Sequence, residues 1–367
     1  MSVDKINVWD DPRVQKRSAH LNGRTYGYLY GEPREGCRGT IFLVYFLQFH
    51  GFPDISMGWR YQIPMLLSLG LRVVAPDCMG YGRTDAPPYT LRDYGFKRIS
   101  DDMAELARQL GVDRIIIGGH DWGGGIVYRF AFYHPTLVTH VFSICTPYLA
   151  PQPTYTPLKL LTRTTVPNFS YQHQFSSGAI EESIQTRSQI KSFLNAAYGG
   201  KPADPALVVF NPNAGFNLAG LEKLGHTPSL SEEELEYYAS EFSRNGLHGP
   251  CNWYRTHEIN WEDEWEYIFR FGEVKELPRL EQEVLFVLAT KDEALRPEMA
   301  RHMVEGGEGP KGLLPRLRRR EVEVGHFAHW ESPAEVNEVI KGWVEEVVFG
   351  CKGEGGGKER VGTGSKL

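Results

Sequence analysis

Short apolar runs alternate with amphipathic stretches over the first 145 residues of the chain. The alternating pattern of residues 24–31 is typical of an antiparallel strand. Continuous apolar runs, as produced by strands covered on both faces, follow at 40–44, 71–77, 114–117 and 138–145. Residues 99–110 have their apolar side chains at helical spacing, and an apolar helix is predicted from Ile126 onward. Strands that alternate with helices predict a doubly wound, mostly parallel α/β sheet.

The pattern changes after Pro147. Residues 148–281 contain helix-like stretches at 179–198 and 231–244 and many aromatic residues, but no clear buried strand. Strands resume at 283–289 and 320–324, and a closing helix is predicted at 333–348. We therefore expect an α/β core formed by residues 1–147 and 282–350. A helical cap of residues 148–281 is inserted into this core, and residues 351–367 form a flexible tail.

Composition and charge exclude several classes of partner. A formal net charge of −6 disfavours nucleic acid and anionic membranes, and the basic residues between 316 and 320 are interpreted as a solvated strand edge. The N-terminus lacks a signal peptide, and no apolar run approaches the roughly 18 residues of a membrane span. Five widely spaced cysteines without a C-x-x-C pair indicate neither a disulfide framework nor a zinc site, which fits a reducing compartment. The sequence makes no prediction of oligomeric state.

The last three residues, Ser365, Lys366 and Leu367, form a tripeptide typical of peroxisomal targeting. They end a tail rich in Gly, Lys and Glu, in which a receptor would find them accessible. We expect the peroxisomal import receptor to be a partner and the peroxisome to be the location. If the tripeptide occurs by chance, the alternative location is cytoplasmic.

The segment Gly118–Gly125 has the pattern of a nucleophile elbow between a strand and a helix. Gly119 and Gly123 flank a single reactive side chain, Asp121. Small residues are needed there because a Cβ would collide with the neighbouring strand or helix in such a sharp turn. The sequence therefore predicts a nucleophile at 121 that is a carboxylate instead of a serine.

On sheets with such an elbow, the chain order of the triad is nucleophile, acid, histidine. Asp292 and His326 each follow a predicted strand, at the edge where parallel sheets place their sites. Glu293 competes with Asp292 for the role of acid, and His329 competes with His326 for the role of base. We favour His326 because it comes directly after a strand with a glycine before it; the preference for Asp292 is weaker.

An aspartate nucleophile suits an sp³ carbon that carries a leaving group. The carboxylate is already ionised at neutral pH, and its attack on such a carbon gives a stable alkyl ester. His326, oriented by Asp292, would then activate the water that hydrolyses this ester. The backbone N–H of Trp122 supplies one oxyanion donor, and Phe52 in the loop after His50 is the candidate for the second.

Two leaving groups fit this chemistry, an epoxide oxygen and a halide. An epoxide oxygen needs a proton donor opposite the nucleophile, and a tyrosine of the cap suits that role. The cap offers Tyr171 and Tyr254, although the residues alone do not select these two from the 18 tyrosines of the chain.

The chain resembles the epoxide hydrolases of the α/β-hydrolase superfamily, in particular the microbial and soluble type. The resemblance spans residues 20–348 and rests on segments 50–54, 77–87, 119–124 and 252–255 and on Gly325-His326. It implies that Asp121 is the nucleophile, Asp292 the orienting acid and His326 the base. It further implies that Tyr171 and Tyr254 bind and protonate the epoxide oxygen, that Phe52 and Trp122 contact the substrate, and that no cofactor or metal is used.

Other members of this superfamily provide the alternatives. Haloalkane dehalogenases resemble the chain at the elbow, but they commonly have Asn where this chain has Phe52. A fluoroacetate-type dehalogenase would have an Arg pair beside the nucleophile, and here the residue after Asp121 is Trp122. A third alternative is a catalytically dead ligand-binding member, which a complete triad and both cap tyrosines disfavour.

The apolar run before His50 departs from the family. It extends from Ile41 to Phe49, nine residues where five or six are usual, with Gln48 inside it. The surplus, residues 45–49, is either a genuine extension that reshapes the oxyanion loop or an artefact of the gene model, and we favour the second interpretation. Residues 305–312 are interpreted as a flexible surface insertion.

Overall fold

The computed structural model describes residues 3–46, 53–270, 277–303 and 312–351. Ten strands occur there: β1 Gln15–Leu21, β2 Arg24–Gly31, β3 Gly39–Phe46, β4 Leu71–Pro76, β5 Ile115–Asp121, β6 Val138–Ile144, β7 Phe210–Asn211, β8 Gly215–Phe216, β9 Glu283–Ala289 and β10 Leu317–Val322. The α-helices are α1 Gln62–Ser68, α2 Phe96–Gln109, α3 Trp122–Tyr133, α4 Leu158–Thr164, α5 Gln172–Ser177, α6 Ala179–Ser183, α7 Arg187–Ala197, α8 Glu232–Phe242, α9 His248–Asn252, α10 His257–Ile268, α11 Ala328–Glu331 and α12 Pro333–Trp343. Short 3-10 turns lie at Ser56–Trp59, Leu91–Tyr94, Pro167–Phe169, Leu218–Lys223, Trp253–Arg255 and Pro297–Ala300, and a π-helical turn at Val344–Val348.

Eight of these strands form one sheet in the order β1-β2-β4-β3-β5-β6-β9-β10. Strand β2 runs antiparallel to its neighbours β1 and β4, and the other neighbouring strands pair in parallel. The mostly parallel α/β sheet expected from the apolar runs is confirmed. Because β3 lies between β4 and β5, the winding direction reverses there, and open sheets bind ligands at the carboxyl ends of such strands.

Strand boundaries differ from expectation at the ends of the sheet. Strand β10 covers Leu317–Val322 instead of residues 320–324, because its parallel pairing aligns Leu317 with Val284 and Val322 with Ala289. It is the outermost strand, so Arg318, Arg319 and Arg320 lie along the edge of the sheet, as interpreted from the sequence. The polar strand β1 was not predicted, since its only buried residue is Leu21.

The stretch from Tyr148 to Glu281 is mainly helical in its described part, with the two-residue strands β7 and β8 as its β structure. The helix-like stretch at 179–198 consists of two helices, α6 and α7. The two helices are separated at Ile184, whose backbone is extended. A capping box between Thr186 and Gln189 then begins α7. The division into core, cap and tail stays a prediction.

Buried polar contacts join these helices to the sheet layer. Arg60 lies 2.8 Å from Glu234 on α8, and both side chains are almost fully buried. The indole N–H of Trp253 donates to the Met79 carbonyl at 2.9 Å. Among the described residues, no helix has both the length and the apolar character needed to cross a bilayer.

Three predicted segments lie wholly or partly outside the described residues. Tyr45 and Phe46 continue the backbone of β3, opposite His120 and Asp121 of β5. Residues 47–52 follow and are not described, so the interpretation of 45–49 and the proposed donor Phe52 are untested. The insertion at 305–312 is described only at Gly312, and the tail only at Cys351.

Candidate active site

Asp121 occupies the tight turn between β5 and α3. Its backbone has φ 55° and ψ −120°, a left-handed conformation that is uncommon for any residue other than glycine. A Cβ on Gly119 would lie 2.2 Å from the carbonyl oxygen of Gly123, so this position requires glycine. The hydroxyl of Thr146 donates to the Asp121 carbonyl and holds the turn. The elbow expected from the glycine spacing is therefore present.

The structure brings Asp121, Asp292 and His326 together. His326 Nε2 lies 3.2 Å from Asp121 Oδ1, and its Nδ1 lies 2.7 Å from Asp292 Oδ2. The second oxygen of Asp292 accepts hydrogen bonds from the backbone N–H groups of Ala294 and Leu295 at 2.8 and 2.9 Å. These contacts fix the orientation of the carboxylate and, through it, of the imidazole.

The two competitors identified in the sequence lie elsewhere. Glu293 points to the surface as an exposed residue, whereas its neighbour Asp292 is buried. The His329 ring is buried and packs against Trp59 and His120, with ring centroids 5.5 and 4.5 Å apart. Geometry thus favours Asp292 and His326 for the roles of acid and base.

Charge in the site is concentrated on the triad. Burial opposes a charge on His326, but the carboxylates of Asp292 and Asp121 outweigh it and raise the pKa of His326 to about 10. Burial also raises the pKa of Asp121, against the opposing effects of His326 and the Trp122 N–H. For Asp292, burial is outweighed by His326 and the two backbone donors, and its pKa is lowered. The two carboxylates thus favour the protonated form of His326, while burial opposes the charge on Asp121.

The predicted oxyanion donor at Trp122 touches the nucleophile directly. The Trp122 N–H donates to Asp121 Oδ2 at 2.6 Å. The two carboxylate oxygens of Asp121 are thereby distinguished, because Oδ2 binds the amide and Oδ1 faces His326.

Tyr171 and Tyr254 lie next to each other, although they are 83 positions apart in sequence. Their rings are 6.2 Å apart and nearly perpendicular, and Phe175 packs on both. Tyr254 also packs edge-on against Trp122 at 6.5 Å. Burial, with contributions from Asp121, raises the pKa of each phenol well above its ordinary value. Both are therefore protonated donors at neutral pH, near the nucleophile.

His120 is a functional candidate that sequence reasoning missed. Its Nε2 donates to the backbone carbonyl of His326 at 2.8 Å, and the Cys145 thiol contacts the same oxygen at 3.3 Å. Burial and the charge of His326 lower the pKa of His120 well below its ordinary value, so the ring is neutral. The available signal was its place between Gly119 and Asp121, because this position lies on β5 directly before the residue at the turn.

His120, Cys145 and His326 also bring three potential metal-ligand atoms within 4.8 Å of one another. Their closeness is explained by the two hydrogen bonds to the His326 carbonyl. Burial raises the pKa of the Cys145 thiol well above its ordinary value.

The chain is similar to known proteins in both sequence and fold. A family model for the alpha/beta hydrolase fold matches residues 45–333. The chain is 35% identical over 359 residues to epoxide hydrolase srdG of Neurospora crassa, with 94% of this chain and 99% of that protein covered. It is 32% identical over 300 residues to bifunctional epoxide hydrolase 2 of Rattus norvegicus, which covers 81% of this chain and 50% of the longer rat protein.

A solved structure of an epoxide hydrolase has the same fold as this chain. The structure of potato (Solanum tuberosum) epoxide hydrolase I superposes with a TM-score of 0.70 at 25% sequence identity, covering 91% of this chain and 99% of the potato chain. The matches cover the elbow, the strand ends that carry Asp292 and His326, and the segment with both tyrosines. The chain therefore belongs to the α/β-hydrolase fold family and, within it, to the epoxide hydrolases.

Proposed function

We propose that the chain hydrolyses an epoxide to a vicinal diol through a covalent ester on Asp121. The observation that carries this proposal is a buried carboxylate at the elbow, 3.2 Å from a histidine that Asp292 orients. A carboxylate in this position attacks carbon without a base, and the histidine remains available for the second step.

In the first step, Asp121 Oδ1 forms a bond to one ring carbon of the epoxide. We assign the attack to Oδ1 because Oδ2 is held by the Trp122 amide. The C–O bond of the ring breaks toward oxygen, and that oxygen takes a proton from Tyr171 or Tyr254. The raised pKa of both phenols keeps this proton in place until the alkoxide, a much stronger base, develops.

The loss of charge on Asp121 prepares His326 for its role. In the resting site, Asp121 is one of the two carboxylates that hold a proton on the imidazole. The ester is neutral, so it no longer supports that proton, which passes to the tyrosinate left by the first step. Neutral His326 can then accept a proton from water.

In the second step, this water attacks the ester carbonyl carbon of Asp121. The negative charge that develops on Oδ2 faces the Trp122 N–H, and Phe52 is the proposed second donor. Collapse of the intermediate expels the diol oxygen, which takes its proton from His326. The carboxyl proton returns to His326, and the resting ion pair is restored with no net gain or loss of protons.

The neighbouring pair of tyrosines favours an epoxide over a haloalkane as substrate. A halide leaves without a proton, whereas an epoxide oxygen leaves as an alkoxide and needs one. Tyr171 and Tyr254 offer two protonated phenols that pack against each other, with Tyr254 beside Trp122. An inert ligand-binding role would not require the triad contacts between His326 and its two carboxylates.

The test is product analysis with purified protein and no added metal. We expect styrene oxide to give its diol, and phenethyl bromide to release no bromide. Bromide release with styrene oxide left intact would establish the dehalogenase alternative instead, and inactivity on both substrates would favour a binding role.

We further propose that the protein is imported into peroxisomes through Ser365, Lys366 and Leu367, with the peroxisomal import receptor as partner. The proposal is supported by the identity and terminal position of the tripeptide. A cytoplasmic location is the alternative.

A further inference from the structure

A cavity of about 970 Å³ lies beside the candidate active site. Its walls come from α3 of the sheet layer, from the segment that leads from β6 into α4, and from α10. Small-molecule sites usually measure about 300 to 1,000 Å³, so this cavity is near the upper end of that range. Its volume greatly exceeds what a single aryl epoxide would fill.

Two residues belong both to the wall of this cavity and to the surroundings of the reacting groups. Trp122 follows Asp121 in the chain and packs against Tyr254, and Gln172 lies with its amide nitrogen 3.5 Å from the Tyr171 hydroxyl. The cavity wall therefore includes the residue that follows Asp121 and a residue beside the Tyr171 hydroxyl. A substrate with its epoxide at Asp121 would extend into this space.

The wall is mainly apolar. Its aromatic and aliphatic members include Phe96, Tyr148, Leu161, Phe169 and Trp261. Burial in such a wall stabilises apolar groups by about 0.8 kcal/mol per methylene.

The charged groups of the wall cancel each other. Arg129 and Glu264 face each other at 2.5 Å with both side chains about nine-tenths buried, and a second nitrogen of Arg129 donates to the Leu149 carbonyl. Burial lowers the pKa of His257, so this wall histidine is neutral at physiological pH. Because Arg129 is already paired with Glu264, it cannot serve as the countercharge of a substrate carboxylate in the cavity. A buried charge without a countercharge is strongly unfavourable.

We propose that the cavity binds the uncharged, apolar body of a large epoxide substrate and discriminates against substrates that bring a carboxylate into it. This inference rests on the proposed function, and it names the substrate class of the same site. Size selection follows from the volume of the cavity, and charge selection follows from the Arg129–Glu264 pair.

Size selection is tested by filling the cavity from α4. Leu161→Trp places an indole in the cavity wall, and Leu160→Trp, on the exposed side of the same helix, is the matched control. We expect Leu161→Trp to lower kcat/KM for epoxidised methyl oleate at least about tenfold, the equivalent of two lost methylenes, and to leave styrene oxide within about twofold. Leu160→Trp should leave both substrates unchanged.

If Leu161→Trp lowers kcat/KM equally for both substrates, or for neither, the size proposal is overturned. Turnover of styrene oxide by the unmodified protein reports separately on the proposed function. If that turnover is absent, epoxide hydrolysis itself fails; if it is present and Leu161→Trp does not discriminate, only the cavity proposal fails.

Charge selection is tested with epoxidised oleic acid and its methyl ester at pH 8. The unmodified protein should prefer the ester at least about tenfold in kcat/KM. Glu264→Gln retains a hydrogen-bond partner for Arg129 but removes the balancing charge, so the preference should shift toward the acid. A preference of the unmodified protein for the acid, or an unchanged ratio in a Glu264→Gln protein that still turns over styrene oxide, would overturn the proposal.

Discussion

The Nε2 atom of His326 lies 3.2 Å from Oδ1 of Asp121, so in the resting site the base is paired with the nucleophile. This contact makes the two steps of the proposed mechanism depend on each other. While Asp121 is a carboxylate, it holds a proton on His326; once Asp121 is an ester, that support is lost. In the proposed mechanism, this contact sets the order of nucleophilic attack and water activation.

The protonation state of His326 provides the first prediction. With a pKa of about 10, His326 should be doubly protonated at pH 8 in the free protein. Asp121→Asn removes one of the two supporting charges, as esterification does, and should lower that pKa. Imidazole nitrogen-15 NMR measures both states, with His326→Gln used to assign the signal. A neutral His326 at pH 8 in the unmodified protein would contradict this account.

The same shift predicts how stability depends on pH. The pKa of His326 is raised from an ordinary value of 6.5, so the stabilising effect of its proton is fully present below pH 6.5 and is lost as the pH rises toward 10. Relative to His326→Gln, the unmodified protein should lose stability over that window. Parallel profiles of the two proteins, measured by urea denaturation between pH 6 and about pH 10, would contradict the prediction.

The tyrosine pair provides a prediction about the first chemical step. Tyr171→Phe or Tyr254→Phe alone should lower kcat for epoxide opening by about tenfold, because the other phenol remains as a donor. In the double variant, kcat should fall by about 10²- to 10⁴-fold, which is the usual contribution of general acid catalysis. Tyr133→Phe, which alters a buried tyrosine at the far end of α3, is the control. Steady-state diol formation that is unaffected in the double variant would exclude the proposed acids.

The buried pair of Arg60 and Glu234 provides a prediction about stability. Glu234→Gln preserves the capping box at the start of α8 but leaves the fully buried Arg60 without a full countercharge there. We expect a loss of about 3 kcal/mol in the free energy of unfolding. Glu236→Gln, in exposed ion pairs on the same helix, should change it by less than about 1 kcal/mol. Equal losses of unfolding free energy in Glu234→Gln and Glu236→Gln, measured by urea denaturation, would contradict the assigned role of the buried pair.

The elbow, and the strand ends that carry the acid and the histidine, were predictable from the sequence because they are tied to local patterns. Glycines around position 121 and single polar residues after apolar runs indicate strand ends without knowledge of the fold. Local patterns supported only a weak preference for Asp292 over Glu293. The choice depends on which side chain turns inward from the loop, and the backbone donors at Ala294 and Leu295 decide it.

Features that arise from tertiary pairing were missed or misplaced. Strand β10 begins three residues earlier than expected because its alignment with β9 sets its limits, and its own composition is too basic to reveal them. His120 was overlooked because its role is a hydrogen bond to a carbonyl 206 positions later in the chain. The contact between Tyr171 and Tyr254 likewise depends on how the helices pack.

The C-terminal tripeptide provides a prediction about location. A fluorescent protein fused in front of the chain, so that Leu367 remains terminal, should give a punctate signal that overlaps a peroxisomal marker. Removal of residues 365–367 should make the signal diffuse, since receptor recognition needs the free tripeptide. A diffuse signal from both fusions would contradict peroxisomal import.

The central claim is that Asp121 becomes covalently bound to the substrate. His326→Gln should permit the first step and block the second, so intact-protein mass spectrometry after addition of styrene oxide should show a mass increase equal to one epoxide. Peptide mapping should locate the adduct on Asp121, and the double variant Asp121→Asn with His326→Gln should show none. An unmodified mass in His326→Gln under conditions where the unmodified protein forms diol, or an adduct on another residue, would contradict the account.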